Sequence, residues 1–97
     1  MNDVQARMSA LQAIEMERDQ QDQQWGGPDH DDKHTGSSWT LLLTKHVGRL
    51  AGDMVEDGEG DDHYDRDDLY RRTIVLAALA LAFAEWQNRR HGWGSPL

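Results

Sequence analysis

The stretch from Ile74 to Ala84 holds eleven consecutive apolar residues, and no other feature limits the fold of this 97-residue chain more. A helix that is apolar on every side has to be surrounded, and the rest of the chain offers two further helices for that task. Eleven residues fall short of the roughly 18–20 that a membrane span needs. The run therefore reads as a buried helix of a soluble, cytoplasmic protein. Small and large residues mix along it, Ala77, Ala78, Ala80, Ala82 and Ala84 against Leu76, Leu79, Leu81 and Phe83, which suits close packing on a partner copy. The expected architecture is all-α, a three-main-helix antiparallel bundle with its core completed by homo-oligomerisation, as a homodimer or homotetramer.

Period and punctuation place the other elements. Val4, Met8, Leu11 and Ile14 form one stripe on a 3.6-residue period, giving a first helix over 1–24 that stops at Gly26-Gly27-Pro28. A polar loop is expected over 26–37. Ser37 or Ser38 is the expected N-cap of a second helix over 39–56, with Leu43, Val47, Leu50 and Met54 on its apolar face. Gly48 and Gly52 lie four apart on that helix, where each costs up to about 1 kcal/mol relative to Ala. Close helix approach, or a ligand over the backbone, is the usual compensation. An acidic loop over 57–64 leads to the third helix over 65–91, and 92–97 is an irregular tail. The whole chain reads as one domain.

Charge narrows the function classes. Asp plus Glu total 18 against 10 Lys plus Arg, a net charge of −8. That argues against general nucleic-acid binding, which draws its affinity from phosphate neutralisation, and against docking on an anionic membrane. The absence of cysteine removes disulfides, cysteine–zinc sites and thiol nucleophiles. No Ser-His-Asp set, phosphate loop or HExxH pattern is present.

One ordered series of residues carries a resemblance. Glu17-Arg18 is followed by Gln20-Gln21, Trp25-Gly26, His30 and Trp39. Lys45-His46-Val47-Gly48-Arg49-Leu50 comes next, and then the Ala-rich segment from Leu69 to Ala80. Over residues 15–90 this order resembles the MazG-like branch of the all-α NTP pyrophosphohydrolases. The resemblance implies a helical homodimer or dimer of dimers with the third helix central. It also implies Mg²⁺ held on substrate phosphates by an acidic quartet, since Mg²⁺ demands hard oxygen ligands. The quartet positions fall here on His46, Arg49, Arg72 and Val75, with Lys45 replacing a preceding Glu. All four ligands are lost, and cations repel the metal. The resemblance thus implies a degenerate member without the family's reaction.

The replaced residues have two readings. In one, Lys45, His46, Arg49 and Arg72 bind a phosphorylated ligand directly, with Trp25, Trp39 and His30 as aromatic walls. The protein is then a nucleotide or phosphometabolite binder that could sequester its ligand without a cofactor. In the other, they are solvated residues paired with nearby acids, on a non-enzymatic scaffold whose acidic face docks a basic protein partner. A displaced Mg²⁺ site at Asp53, Glu56, Asp65 and Asp68 would restore a pyrophosphohydrolase. Runs of acids more often solvate, and no metal site is favoured. His30, Asp31, Asp32 and His34 have the residue types of a transition-metal site, but they are expected in an exposed polar loop that covers a pocket.

Overall fold

A computed structural model describes residues 1–56 and 65–92 of the chain, the side chains of 53–56 excepted. Every regular element among them is helical: α1 (Asp3–Trp25), α2 (Pro28–Asp31), α3 (Gly36–Glu56) and α4 (Arg66–His91). No helix among the described residues is long and apolar enough to cross a membrane.

Caps set the boundaries. Asn2 and Gln5 form a reciprocal capping box at the start of α1, with Gln5 N–H donating to Asn2 Oδ1 at 2.8 Å and Asn2 N–H to Gln5 Oε1 at 2.9 Å. Gly26 ends α1 in the left-handed region at φ 101°, which costs glycine nothing sterically. Asp65 starts α4 by accepting from the backbone N–H groups of Asp67 and Asp68. Gly92 closes it at φ 70°.

Two boundaries depart from the sequence reading. The polar connection contains the one-turn helix α2, with Pro28 at its first position, where a missing N–H costs nothing. The next helix starts at Gly36 rather than Trp39, because Thr35 provides the cap: its Oγ1 accepts from Ser38 N–H at 3.1 Å. Ser37 and Ser38 lie inside the helix instead of capping it. The four helices thus comprise the three long ones expected and one short one.

The arrangement centres on α4, against which α1, α2 and α3 all pack. Trp39 near the start of α3 lies with Ala82 and Trp86 near the end of α4, and His46 and Arg49 share a hollow with Arg72 nearer its start. These two helices are therefore antiparallel. Trp39, Ala82 and Trp86 form the core cluster, flanked by Leu42 and Phe83. α1 and α3 hardly touch each other, and the space between them over α4 is a cleft.

The apolar surface is only partly covered. On α4, Ala78 and Ala82 are buried, whereas Leu81 is exposed. On α1, Val4, Met8 and Leu11 are exposed by 66, 65 and 55%. The chain on its own therefore surrounds the apolar run on one side and leaves the α1 stripe uncovered. Gly48 and Gly52 have nothing within 4 Å of where a Cβ would stand, so no close approach among the described residues compensates for them.

Candidate functional site

The cleft between α1 and α3 has a volume of about 580 Å³, inside the roughly 300–1,000 Å³ range of small-ligand sites. All four helices build it. α1 contributes Glu17, Arg18, Gln21, Gln24 and Trp25, α2 contributes His30 and Asp31, and α3 contributes Trp39, Leu42, Lys45, His46 and Arg49. His34, between α2 and α3, also lines it, and Val75, Leu79 and Ala82 of α4 form an apolar side. Of the residues singled out from sequence, Trp25, His30, Trp39, Lys45, His46 and Arg49 are thus gathered around one cavity. Arg72 lies in an adjoining hollow of about 290 Å³ that shares His46, Arg49 and Val75 with the cleft.

The α3 side is basic. Lys45 and Arg49 stand one turn apart on α3 with His46 next to Lys45, which brings like charges to i, i+4 spacing at a cost of a few tenths of a kcal/mol. Neither Lys45 nor Arg49 makes an ion pair among the described residues. Burial and then the charges of Arg49, Lys45 and Arg72 hold the His46 pKa below the ordinary histidine value. Arg72 is engaged, with its Nε donating to Asp68 Oδ2 at 2.8 Å. Hydrogen bonds from Arg71 and Arg72 hold the Asp68 pKa low in turn.

At the other side Arg18 is the organising residue, to which sequence pattern assigns no separate role. It is 6% exposed, and a charge so deeply placed requires partners. Three carboxylates from three elements supply them. Asp22 lies one turn on in α1, Asp31 of α2 accepts from Nη2 at 3.1 Å, and Glu85 of α4 accepts from Nε at 2.9 Å. Burial acts against the guanidinium charge, but the hydrogen bonds and charges of Asp22 and Glu85 outweigh it and raise the Arg18 pKa. A second tie, from Arg89 of α4 to Asp32 at 2.9 Å, fastens the end of α2.

These ties revise the view of 26–37 as an exposed polar loop. Asp31 is buried against Arg18 and Asp32 is held by Arg89. Neither turns toward a shared ion with His30 and His34. Among the described residues no three His, Asp or Glu side chains are grouped to hold a metal. The carboxylates proposed for a displaced Mg²⁺ site divide in the same way: Asp65 caps α4 and Asp68 holds Arg71 and Arg72. The side chains of Asp53 and Glu56 lie outside the described residues.

A continuous row of rings crosses the site. Trp25 stacks on His30 with centroids 6.0 Å apart, His30 meets His34 at 5.2 Å, and His34 meets Trp39 at 5.1 Å. Trp39 lies nearly parallel to Phe83 at 5.6 Å, and Phe83 touches Trp86 at 5.8 Å. Trp39 is therefore a core residue at the cleft floor, 2% exposed, with Phe83 over one face. It is not an open stacking wall. Trp25, 57% exposed, is the aromatic surface a ligand can reach. Trp86, not singled out from sequence, completes the core, with the Arg90 guanidinium 4.9 Å from its ring centre.

Among the described residues, three buried side-chain atoms lack a hydrogen-bond partner within the chain: Gln21 Oε1, Trp39 Nε1 and Trp86 Nε1. The first two belong to residues that line the cleft. Comparison with family models, with curated proteins and with solved structures finds no match to this chain.

Proposed function

We propose that this protein binds small phosphorylated ligands, nucleotides foremost, in the cleft between α1 and α3, and that it does so without a metal ion or turnover. The observation that carries this reading is charge left without a partner. In a chain of net charge −8, Lys45 and Arg49 stand at a cleft with no carboxylate paired to them among the described residues. Two cations without an acidic partner, beside a partly desolvated imidazole, support anion binding at this wall. Arg and Lys hold phosphate oxygens directly through charge-assisted hydrogen bonds. In terms of the sequence resemblance, the protein is a degenerate MazG-like member that sequesters its ligand rather than cleaving it.

The test is a titration with pyrophosphate and with nucleoside mono- and triphosphates, in Mg²⁺ and in EDTA, followed by calorimetry and by phosphorus NMR. Binding that survives EDTA with no product formed, and that weakens at least about tenfold in Arg49→Glu, is the expected result; a charge-assisted contact of about 1.5–3 kcal/mol gives that factor. Pyrophosphate release only with Mg²⁺ overturns the reading in favour of an enzyme. Equal affinity in wild type and Arg49→Glu removes the site.

We also propose that the chain works as a homo-oligomer. The uncovered stripe of Val4, Met8 and Leu11 supports this, since large apolar patches on a lone chain mark interaction surfaces.

A further inference from the structure

The two halves of α1 differ along one and the same face. Val4, Leu11 and Arg18 recur every seven residues, so they lie within about 40° of one another around the helix. At Arg18 that face is closed: the side chain is 6% exposed and is tied to Asp31 of α2 and Glu85 of α4. At Val4, Met8 and Leu11 it is open, with 66, 65 and 55% of each residue exposed. A helix laid on the open half cannot run on toward Arg18, because α2 and α4 already stand there. Charge names the occupant. Residues 1–14 hold only Asp3 and Arg7, one of each sign, whereas the whole chain has a net charge of −8. Copies of so acidic a chain repel one another in general, and the open half of α1 is a neutral, apolar place for them to meet. Val4 and Leu11 also flank Met8 by four and three residues, the spacing of a coiled-coil seam. A stripe so nearly symmetric about its middle residue fits its own reverse.

The closed half decides the orientation. In a parallel pair the two Arg18 faces would lie opposite each other, and α4 of both copies would need the one space between them. In an antiparallel pair the closed half of each α1 lies beyond the first turn of the other, and the acidic bodies stand at opposite ends. We infer that two copies of this chain pair antiparallel through the first turns of α1, about a two-fold axis near Met8, with Val4 against the partner's Leu11. Such an axis lets the same patch serve both copies. The inference rests on the homo-oligomer reading above and not on the phosphate reading.

The chain has no cysteine, so Gln20→Cys, at an exposed position of α1, carries a single nitroxide label. The distance between labels is read by pulsed EPR over a concentration series, with light scattering on the same samples. In the antiparallel pair the labels are offset by about 24 residues along the helix axis, which places them about 35–45 Å apart. A parallel pair keeps them level, about 15–25 Å apart across the width of two helices. The expected result is the long distance, with an amplitude that grows with concentration, because so short a seam is small beside a standard interface and the pair is reversible. Met8→Glu sets two carboxylates at the axis and weakens the pair at least about tenfold, while the melting profile shows that the fold is kept. The short distance overturns the antiparallel pairing and leaves the homo-oligomer reading standing. Assembly that Met8→Glu leaves intact places the interface elsewhere and overturns the inference alone. A monomer at every concentration overturns both the inference and the homo-oligomer reading, and leaves the phosphate reading untouched.

Discussion

An imidazole set among three cations gives up its proton easily. Burial, followed by the charges of Arg49, Lys45 and Arg72, lowers the His46 pKa, so the ring is neutral at pH 7. An anion bound against Lys45 and Arg49 reverses the Coulomb part of that shift. The pKa of the complex then lies above that of the free protein, and binding takes up a proton. Affinity should therefore rise as pH falls, over the window between the pKa of the complex and the lower pKa of free His46. Sulfate is the suitable probe because its charge is constant from about pH 5 to 8, where histidine titrates. Calorimetry in buffers of different ionisation enthalpy should show proton uptake, and His46→Gln should flatten the profile while keeping binding at pH 7. A flat profile in the wild type would show that the anion does not sit near His46. Sequence alone brought Lys45, His46 and Arg49 together, because helical spacing of three and four does so without tertiary knowledge. It could not find Arg18 as a buried hub. Its partners Asp31 and Glu85 stand 13 and 67 residues away, and nothing local distinguishes them from the other acids of an acidic chain.

The three long helices were legible because period and punctuation agree in each: a stripe in α1, an apolar face in α3 and an unbroken apolar run in α4. The short helix α2 was not, although Pro28 followed by acids at Asp29 and Asp31 is a helix-start pattern. Four residues are too few to show a period, and the flanking glycines gave a stronger signal for a loop. Helix glycines tell the same story in reverse. Gly48 and Gly52 suggested close packing, but open space stands where their Cβ atoms would be. Gly48 is also exposed. In that setting alanine gains helix propensity and reduces the entropy of the unfolded chain. Gly48→Ala should raise stability by about 0.5–1 kcal/mol, read as a shift of the urea midpoint at unchanged slope. A loss of stability instead would mean that another backbone, from a second copy, lies against this turn.

A single copy leaves much of its surface uncovered. Its accessible surface is 7294 Å², against about 5,700 Å² for a compact monomer of 11.1 kDa. Its radius of gyration is 15.3 Å, against about 12.5 Å for a compact chain of this length. The excess has an apolar component on α1, where Val4, Met8 and Leu11 face outward at successive turns. The antiparallel α3–α4 pair packs around Trp39 and Trp86 within one chain, whereas the described residues leave the α1 stripe exposed. If a second copy covers it, light scattering should give a dimer or larger assembly, and the melting temperature should rise with protein concentration, as mass action requires. Leu11→Lys places a charge on the stripe, about two turns of α1 before the Arg18 cluster. It should shift the protein toward monomer and remove the concentration dependence, while leaving anion affinity within about twofold if the cleft is built by one chain. Retained assembly in Leu11→Lys would place the interface elsewhere, and the exposed residues Leu41 and Val47 of α3 would be the next to substitute. Assembly lost together with anion binding would mean that the cleft takes its final shape only when a second copy fixes α1 against α4.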